Sequence, residues 1–443
     1  MTAFLQRFLN IRREEIAPLL AATFYFFCVL TALMILRPAR DALGMRSGMD
    51  NIRWLFVGTA LVTLAANPAF GWLVSRFRRI TFITATYAFF AVSLVGFWAL
   101  LTLAPQEVGE TSGRVFYVWF SVFNLFCTMV FWALMADRFN FEQSKRLFGV
   151  IAVGGTLGAI AGPALARSLA VPLGTPALLL ISAGFLLVSV VAAWIVVWLQ
   201  ADQASPVEKA EATAENRAII GGSAWEGLRA AFRSRYLLGI SGYMLTLSII
   251  STFIYFARLQ VVAALGEGTD KNAQTLANID LVTQVSTLVL QVVVAGHFMK
   301  RLGVAAALAV LPVIVAFEFI GLAILGSMAM LVTLDVSFKA IQRAIMRPAR
   351  ETLFTVVSRE DKYKSKAFTD TFVYRGGDVL GAWSEGAIGA LGLGLAGVAA
   401  VAVPLSAAWT VLGVWLGREQ DRLAHSPTNE EVAAIEPVAA PVS

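Results

Sequence analysis

Apolar runs of about 20 residues recur along the chain, each closed by a short polar or charged stretch. Ile16 to Leu36 is one, and Pro176 to Leu199 is another. About 20 apolar residues in a helix cross ~30 Å of hydrocarbon. On that criterion the pattern predicts twelve spans, near 16–36, 54–75, 80–103, 115–136, 147–170, 176–199, 236–257, 275–297, 304–326, 329–346, 368–395 and 397–417. No small-residue cleavage signature follows the first run, which therefore reads as a retained span and not a signal peptide.

The polar breaks are unequal. After the sixth span comes "ADQASPVEKAEATAENRAIIGGSAWEGLRAAFRSR", an Ala/Glu-rich linker of a kind that stays mobile. It predicts an N-terminal six-helix half (1–199), a cytoplasmic linker (200–235) and a C-terminal six-helix half (236–417). Residues 418–443, with "SPTNEE" and "EPVAAPVS", read as a disordered cytoplasmic tail.

Composition agrees with the pattern. Of 443 residues, 58% are hydrophobic and 14% charged, with mean hydropathy +0.73. Soluble domains average about 25% charged residues. The expected class is an all-α polytopic membrane protein, a monomer in the bilayer. An even number of spans puts both termini on one side. Basic loops concentrate there: "RFRR" at 76–79, Lys145-Arg146, Arg229, Arg233, Arg235, Lys300-Arg301, and Lys362, Lys364 and Lys366. Cytoplasmic loops carry the Lys/Arg excess, which predicts cytoplasmic termini and a bacterial inner membrane. The net charge of +6 is then mostly an orientation signal, and no nucleic-acid partner is expected.

Enzyme chemistry finds little support. Cys28 and Cys127 lie inside apolar spans and read as packed free thiols. His297 and His425 have no metal-ligand spacing, and no P-loop is present. No enzyme activity, metal or cofactor is expected.

Orientation does not explain Arg37, Arg40, Arg46 and Arg53, which follow the first span on the side opposite the termini. Residues 35–43 read "ILRPARDAL" and residues 345–353 read "IMRPARETL"; six of nine positions are identical. The fourth and seventh spans end similarly, in "MADRF" (Asp137, Arg138) and "FARLQ" (Arg258). Six plus six spans around a linker resemble the major facilitator architecture. Each half would then be two three-helix units of inverted topology, with spans 1, 4, 7 and 10 around a central cavity. One arginine cluster is then expected near the outer mouth and one near the inner. Arg37, Asp41, Asp137, Arg138, Arg350 and Glu351 are candidate gating residues.

Charges inside spans are costly, so they face water or one another. Span 10 reads "LVTLDVSFKAIQRAIMRPARE". Asp335, Lys339 and Arg343 recur every four residues, at ~40° steps around a helix, and Arg350 falls within the same ~80° stripe. An Asp335–Lys339 pair alone would only pack helices, but it leaves Arg343 over, which favours an anionic ligand. Span 7 adds Ser248, Ser251, Thr252, Tyr255 and Arg258; span 4 adds Ser121, Asn124 and Thr128. Span 11 carries Arg375, Asp378 and Glu385. Either acid offers a proton-carrying site or a partner for Arg375. Glu318 in span 9 reads as peripheral. Gly154, Gly158 and Gly162 in span 5 form a surface for close helix approach. With Gly149 and Pro163 they also resemble the helix 5 motif of facilitator antiporters, departing at Ala166-Arg167.

"LRPARDAL" (36–43), "FWALMAD" with "EQSKRLFG" (131–149), "FKAIQRAIMRPARETLF" (338–354) and "KYKSKAFTDTFVYRGGD" (362–378) together resemble the nucleotide (ATP/ADP) translocase family of plastids and intracellular bacteria. That resemblance implies antiport of nucleotides, with basic residues holding phosphates. The family's basic positions fall on Arg40, Lys339, Arg343, Arg350 and Arg375, and its acid on Glu351. Arginine at several of them favours a planar, two-point phosphate contact. The family's acids in helices 4 and 7 are absent, and Ser121, Asn124 and Tyr255 stand there instead. The expected substrate site is therefore Arg40, Asn124, Tyr255, Asp335, Lys339, Arg343 and Arg375, for a small anionic metabolite, which the resemblance implies is a nucleotide. Two alternatives stay open: proton-coupled transport of an unrelated solute, and a non-transporting membrane interaction subunit.

Overall fold

A computed structural model describes residues 12–76, 79–105, 109–199 and 234–425. Most of the expected linker and the end of the tail (426–443) lie outside the described residues. The helices are α1 (Ile16–Met45), α2 (Met49–Arg76), α3 (Arg79–Leu103), α4 (Gly109–Arg138), α5 (Phe141–Leu173), α6 (Thr175–Leu199), α7 (Arg235–Ala264), α8 (Thr269–Leu290) and α9 (Gly296–Leu325). Then follow α10 and α11, each interrupted by a π turn, and α12 (Gly394–Ala424). α10 runs Met328–Ile341, turns through Gln342–Met346 and continues as Arg347–Thr352. α11 runs Arg359–Phe368, turns through Thr369–Val373 and continues as Tyr374–Ala390.

The protein is an all-α polytopic membrane protein. Nine helices among the described residues are long and apolar enough to cross a membrane. α2, α10 and α11 fall outside those nine. α2 has the length, 28 residues, whereas α10 and α11 are divided by their π turns.

Two sequence expectations change. The first arginine cluster is not in a loop: α1 continues through Pro38 to Met45, so Arg37 and Arg40 project from a helix, and Arg53 lies in α2. The stripe on α10 also breaks. A π turn puts one extra residue into the helix, so the α-helical angle for Arg350 shifts by about 100°. Asp335 and Lys339 precede the turn, Arg343 lies within it and Arg350 follows it.

The chain forms two compact units. Among the described residues, those up to 199 with 258–285 form one, and those of 234–257 with 286–425 form the other. The first unit thus takes the last turns of α7 and most of α8. In it α1 packs most extensively on α5 and α6. A Cβ on Gly154 would lie 2.1 Å from the Thr23 carbonyl oxygen, and one on Gly158 2.3 Å from that of Phe27. Only glycine admits this backbone approach. The Tyr25 and Tyr87 hydroxyls meet at 2.7 Å, and Tyr87 donates to the Cys127 carbonyl, tying α1, α3 and α4. Cys28 and Cys127 are free and buried. The second unit has its own glycine seam. Cβ atoms on Gly377 and Gly381 of α11 would lie 2.6 and 2.8 Å from Cβ of Ser248 and Thr252 of α7.

Candidate functional site

The charges gather in two clusters, one in each unit. In the first unit the end of α1 meets the last turns of α7 and the middle of α8. Arg258 donates to Asp41 at 2.7 Å and to Asp280 at 2.8 Å. Arg40 Nε donates to the other oxygen of Asp41 at 2.8 Å, and Arg37 stands 3.8 Å from Asp280. The Arg40 guanidinium lies over Tyr117, 4.7 Å from the ring centroid. Asp41, Arg258 and Asp280 are 0, 1 and 3% exposed. Three arginines thus face two acids in a nearly dry site. Such a cluster holds only if its hydrogen bonds offset the cost of removing the charges from water; Arg258 supplies one to each acid.

In the second unit the other copy of the nonapeptide borders a cavity of about 570 Å³. Arg347, Arg350, Lys366 and Arg375 line it, opposed by Glu351 and Asp370, with Gln342 and Tyr374 adding polar surface. Arg350 binds Glu351 at 2.5 Å and Asp370 at 3.0 Å; Lys366 also contacts Glu351. Burial pushes the Glu351 carboxyl up, but hydrogen bonds from Lys366 and Arg350 outweigh it and hold it below the ordinary range. Glu351 and Asp370 remain 41 and 38% exposed. Arg347 is exposed and makes no hydrogen bond or ion pair with the described residues. Arg375 reaches Asp378 at 3.2 Å, and Asp378 also accepts from Ser248 of α7 at 2.5 Å.

Of the residues expected to bind substrate, Arg375 lines this cavity; Lys339 and Arg343 do not. Lys339 pairs with buried Asp335 at 2.6 Å. Arg343 is half-buried in the π turn. Arg40 belongs to the first cluster. Asn124 is exposed on α4, and Tyr255 is half-buried beside Phe256. Among the gating candidates, Arg37 and Asp41 fall in the first cluster and Arg350 and Glu351 in the second. Asp137 is exposed and Arg138 half-buried at the end of α4. Asp378 is half-buried, and Glu385 is buried in α11.

Asp280, Arg347, Lys366 and Asp370 were not singled out from the sequence. The first had a usable signal: an acid inside an apolar span, the same argument that selects Asp335. Asp370, inside the predicted eleventh span, had the same signal; Lys366 read as part of a basic run and Arg347 as part of the second nonapeptide, and only the cavity they line with Arg350 and Glu351 gives them meaning.

Residues 19–346 match the family model described as Major Facilitator Superfamily. A search among curated proteins finds no match. Among solved structures, the chain is similar to the nucleoside transporter NupG, at 12% identity and TM-score 0.61, covering 94% of this chain and 100% of that one. It is also similar to a bacterial homologue of the iron transporter ferroportin in an inward-facing state, at 12% identity and TM-score 0.62, covering 91% and 98%. A bacterial homologue of the human lysosomal transporter Spinster, inward-facing and unoccupied, matches at 16% identity and TM-score 0.55, covering 94% and 98%. At these identities the likeness is one of fold.

Proposed function

The chain belongs to the Major Facilitator Superfamily, and we propose that this secondary transporter exchanges a small phosphorylated metabolite, of the nucleotide class, by alternating access. The observation that carries the anionic substrate is the cavity of the second unit, where four cations face two acids. Arg347, with no hydrogen bond or ion pair among the described residues, offers its guanidinium to a ligand. Arg350, Lys366 and Arg375 hold internal acids in place of a ligand. A phosphate presents several acceptor oxygens to such forked donors, and Tyr374 and Gln342 add a face for the rest of the molecule. The cluster of Arg37, Arg40, Asp41, Arg258 and Asp280 acts in this reading as a closure. We further infer two six-helix halves joined at 200–235, cytoplasmic termini, a bacterial inner membrane and a monomer, on the distribution of Lys and Arg and the span count.

The test is thermal shift of purified protein against nucleotides, sugar phosphates and inorganic phosphate. A ligand that binds only the folded state raises the midpoint by mass action. A phosphorylated ligand should raise it in the wild type and in Arg114→Ala, whose site is an exposed pair with Glu110 on α4, and raise it much less at the same concentration in Arg350→Ala. No response to any phosphorylated compound, or an equal response in Arg350→Ala, overturns the assignment.

A further inference from the structure

Glu318, expected to be peripheral, has an unusual environment. It is 9% exposed in α9, and among the described residues its hydrogen-bond partner is Ser337 of α10. Both carboxyl oxygens stand 2.7 Å from the Ser337 hydroxyl, which also lies 3.2 Å from the Leu334 carbonyl oxygen. A serine hydroxyl has one hydrogen, and an ionised carboxylate only accepts. One hydrogen cannot serve three acceptors at full strength. A protonated carboxyl would supply a second: one Glu318 oxygen would then donate to Ser337 Oγ while the serine hydrogen goes to the other oxygen.

Among the described residues no cation forms a hydrogen bond or ion pair with Glu318. From Leu302 to Leu325 α9 has no other charged residue, and α12, packed along it, has none from Gly394 to Gly417. The turn Gln291–Ala295 that also touches α9 has no titratable group. On α10, Asp335 and Lys339 lie two residues either side of Ser337, about 200° around the helix, and pair with each other at 2.6 Å. Arg343 lies six residues beyond Ser337 in the π turn, and Arg347, Arg350 and Glu351 follow that turn. Phe317, beside the acid, is 71% exposed on the outer surface of the helix. The seam itself is tight: a Cβ on Gly321 would lie 2.7 Å from the Met330 methyl.

We propose that Glu318 is a proton-binding site, and that its proton is the link holding α9 to α10 just ahead of the π turn. Binding forms one O–H bond on a carboxyl oxygen; release gives that proton to water and leaves a charge in an apolar seam, an arrangement hydrocarbon disfavours. The α9–α10 seam thus closes when proton-loaded and loosens when empty. This site is separate from the cavity, and its test does not depend on which solute is moved.

The experiment uses the full chain in lipid vesicles, treated with dicyclohexylcarbodiimide across a range of pH and read by peptide mass spectrometry. The carboxyl O–H adds across one C=N bond of the reagent, the proton passing to nitrogen, with no leaving group. Glu318 should be modified at acidic pH, with the yield falling severalfold at alkaline pH. A water-soluble carbodiimide should modify Glu351 and Asp370 instead. No variant is needed, so misfolding cannot obscure the result. Absence of modification at Glu318 at every pH overturns the proposal. So does a yield independent of pH, which describes a permanently neutral packing group.

Discussion

The two copies of one nonapeptide have opposite surroundings. In "ILRPARDAL" the acid is Asp41, fully buried and held by Arg40 and by Arg258 from another helix. In "IMRPARETL" the acid is Glu351, 41% exposed, held by its neighbour Arg350 and by Lys366 at the edge of a cavity. The backbone contributes to the difference. The first copy continues a regular helix through Pro38, whereas the second begins inside a π turn, with its proline near the start of a new helical segment. The same cations are thus paired in a nearly dry cluster in one unit and line a solvent-exposed cavity in the other. Local sequence sets which charges are present; what packs against them sets whether they are spent on each other.

The sharpest way to break the comparison is Arg258→Ala. It leaves Asp41 and Asp280 buried without their shared partner, a loss of about 3–5 kcal/mol for a buried pair. A large fall in thermal midpoint in detergent is expected, with partial recovery in Arg258→Lys. A midpoint equal to that of Arg114→Ala would mean that the first copy is as wet as the second.

Next is Arg350→Ala, which removes a charge-assisted contact worth roughly 1.5–3 kcal/mol. Phosphate-ligand affinity should fall about ten- to hundredfold, measured by titration of the thermal shift or by calorimetry. Arg343→Ala should have the smaller effect, because Arg343 does not line the cavity. The reverse order would return the site to the stripe predicted from the sequence.

The glycine seams compare the units independently of charge. Gly154→Ala drives a methyl into the Thr23 backbone, whereas at Gly381 the nearest atom is the Thr252 Cβ. Overpacking costs ~1–3 kcal/mol, and Gly154→Ala should lie at the upper end, with Gly381→Ala milder. Thermal unfolding of the two variants side by side reads the difference.

The smallest effect belongs to Glu351→Gln. A pair at a wet edge is worth ~0–1 kcal/mol after solvent screening. Its sign with pH is fixed, because Lys366 and Arg350 hold the folded carboxyl below its ordinary value. The contribution is present above the unfolded pKa of about 4.3. It is lost as pH falls through the lower folded value. Wild type should therefore exceed the variant slightly in thermal midpoint at neutral pH, and the two should converge in acid. A gap that widens in acid would contradict the pairing.

Sequence alone determined the class of the molecule, because crossing hydrocarbon requires a continuous apolar run and that property is local. It offered the Asp335–Lys339 pair as the alternative to a substrate role for the same reason: residues four apart on a helix are neighbours whatever surrounds them. It also identified the glycine face of α5, since small residues repeating every four mark one side of a helix. It did not determine the π turns, which moved Arg350 off the stripe by inserting a residue that no propensity announces. Nor did it determine the partners of the two acids. Arg258 is 217 residues from Asp41, and Lys366 and Asp370 reach Glu351 and Arg350 from another helix. Such contacts depend on which helices meet and at what height, a choice made by close packing across glycine seams and by the cost of leaving a charge unpaired in an apolar interior.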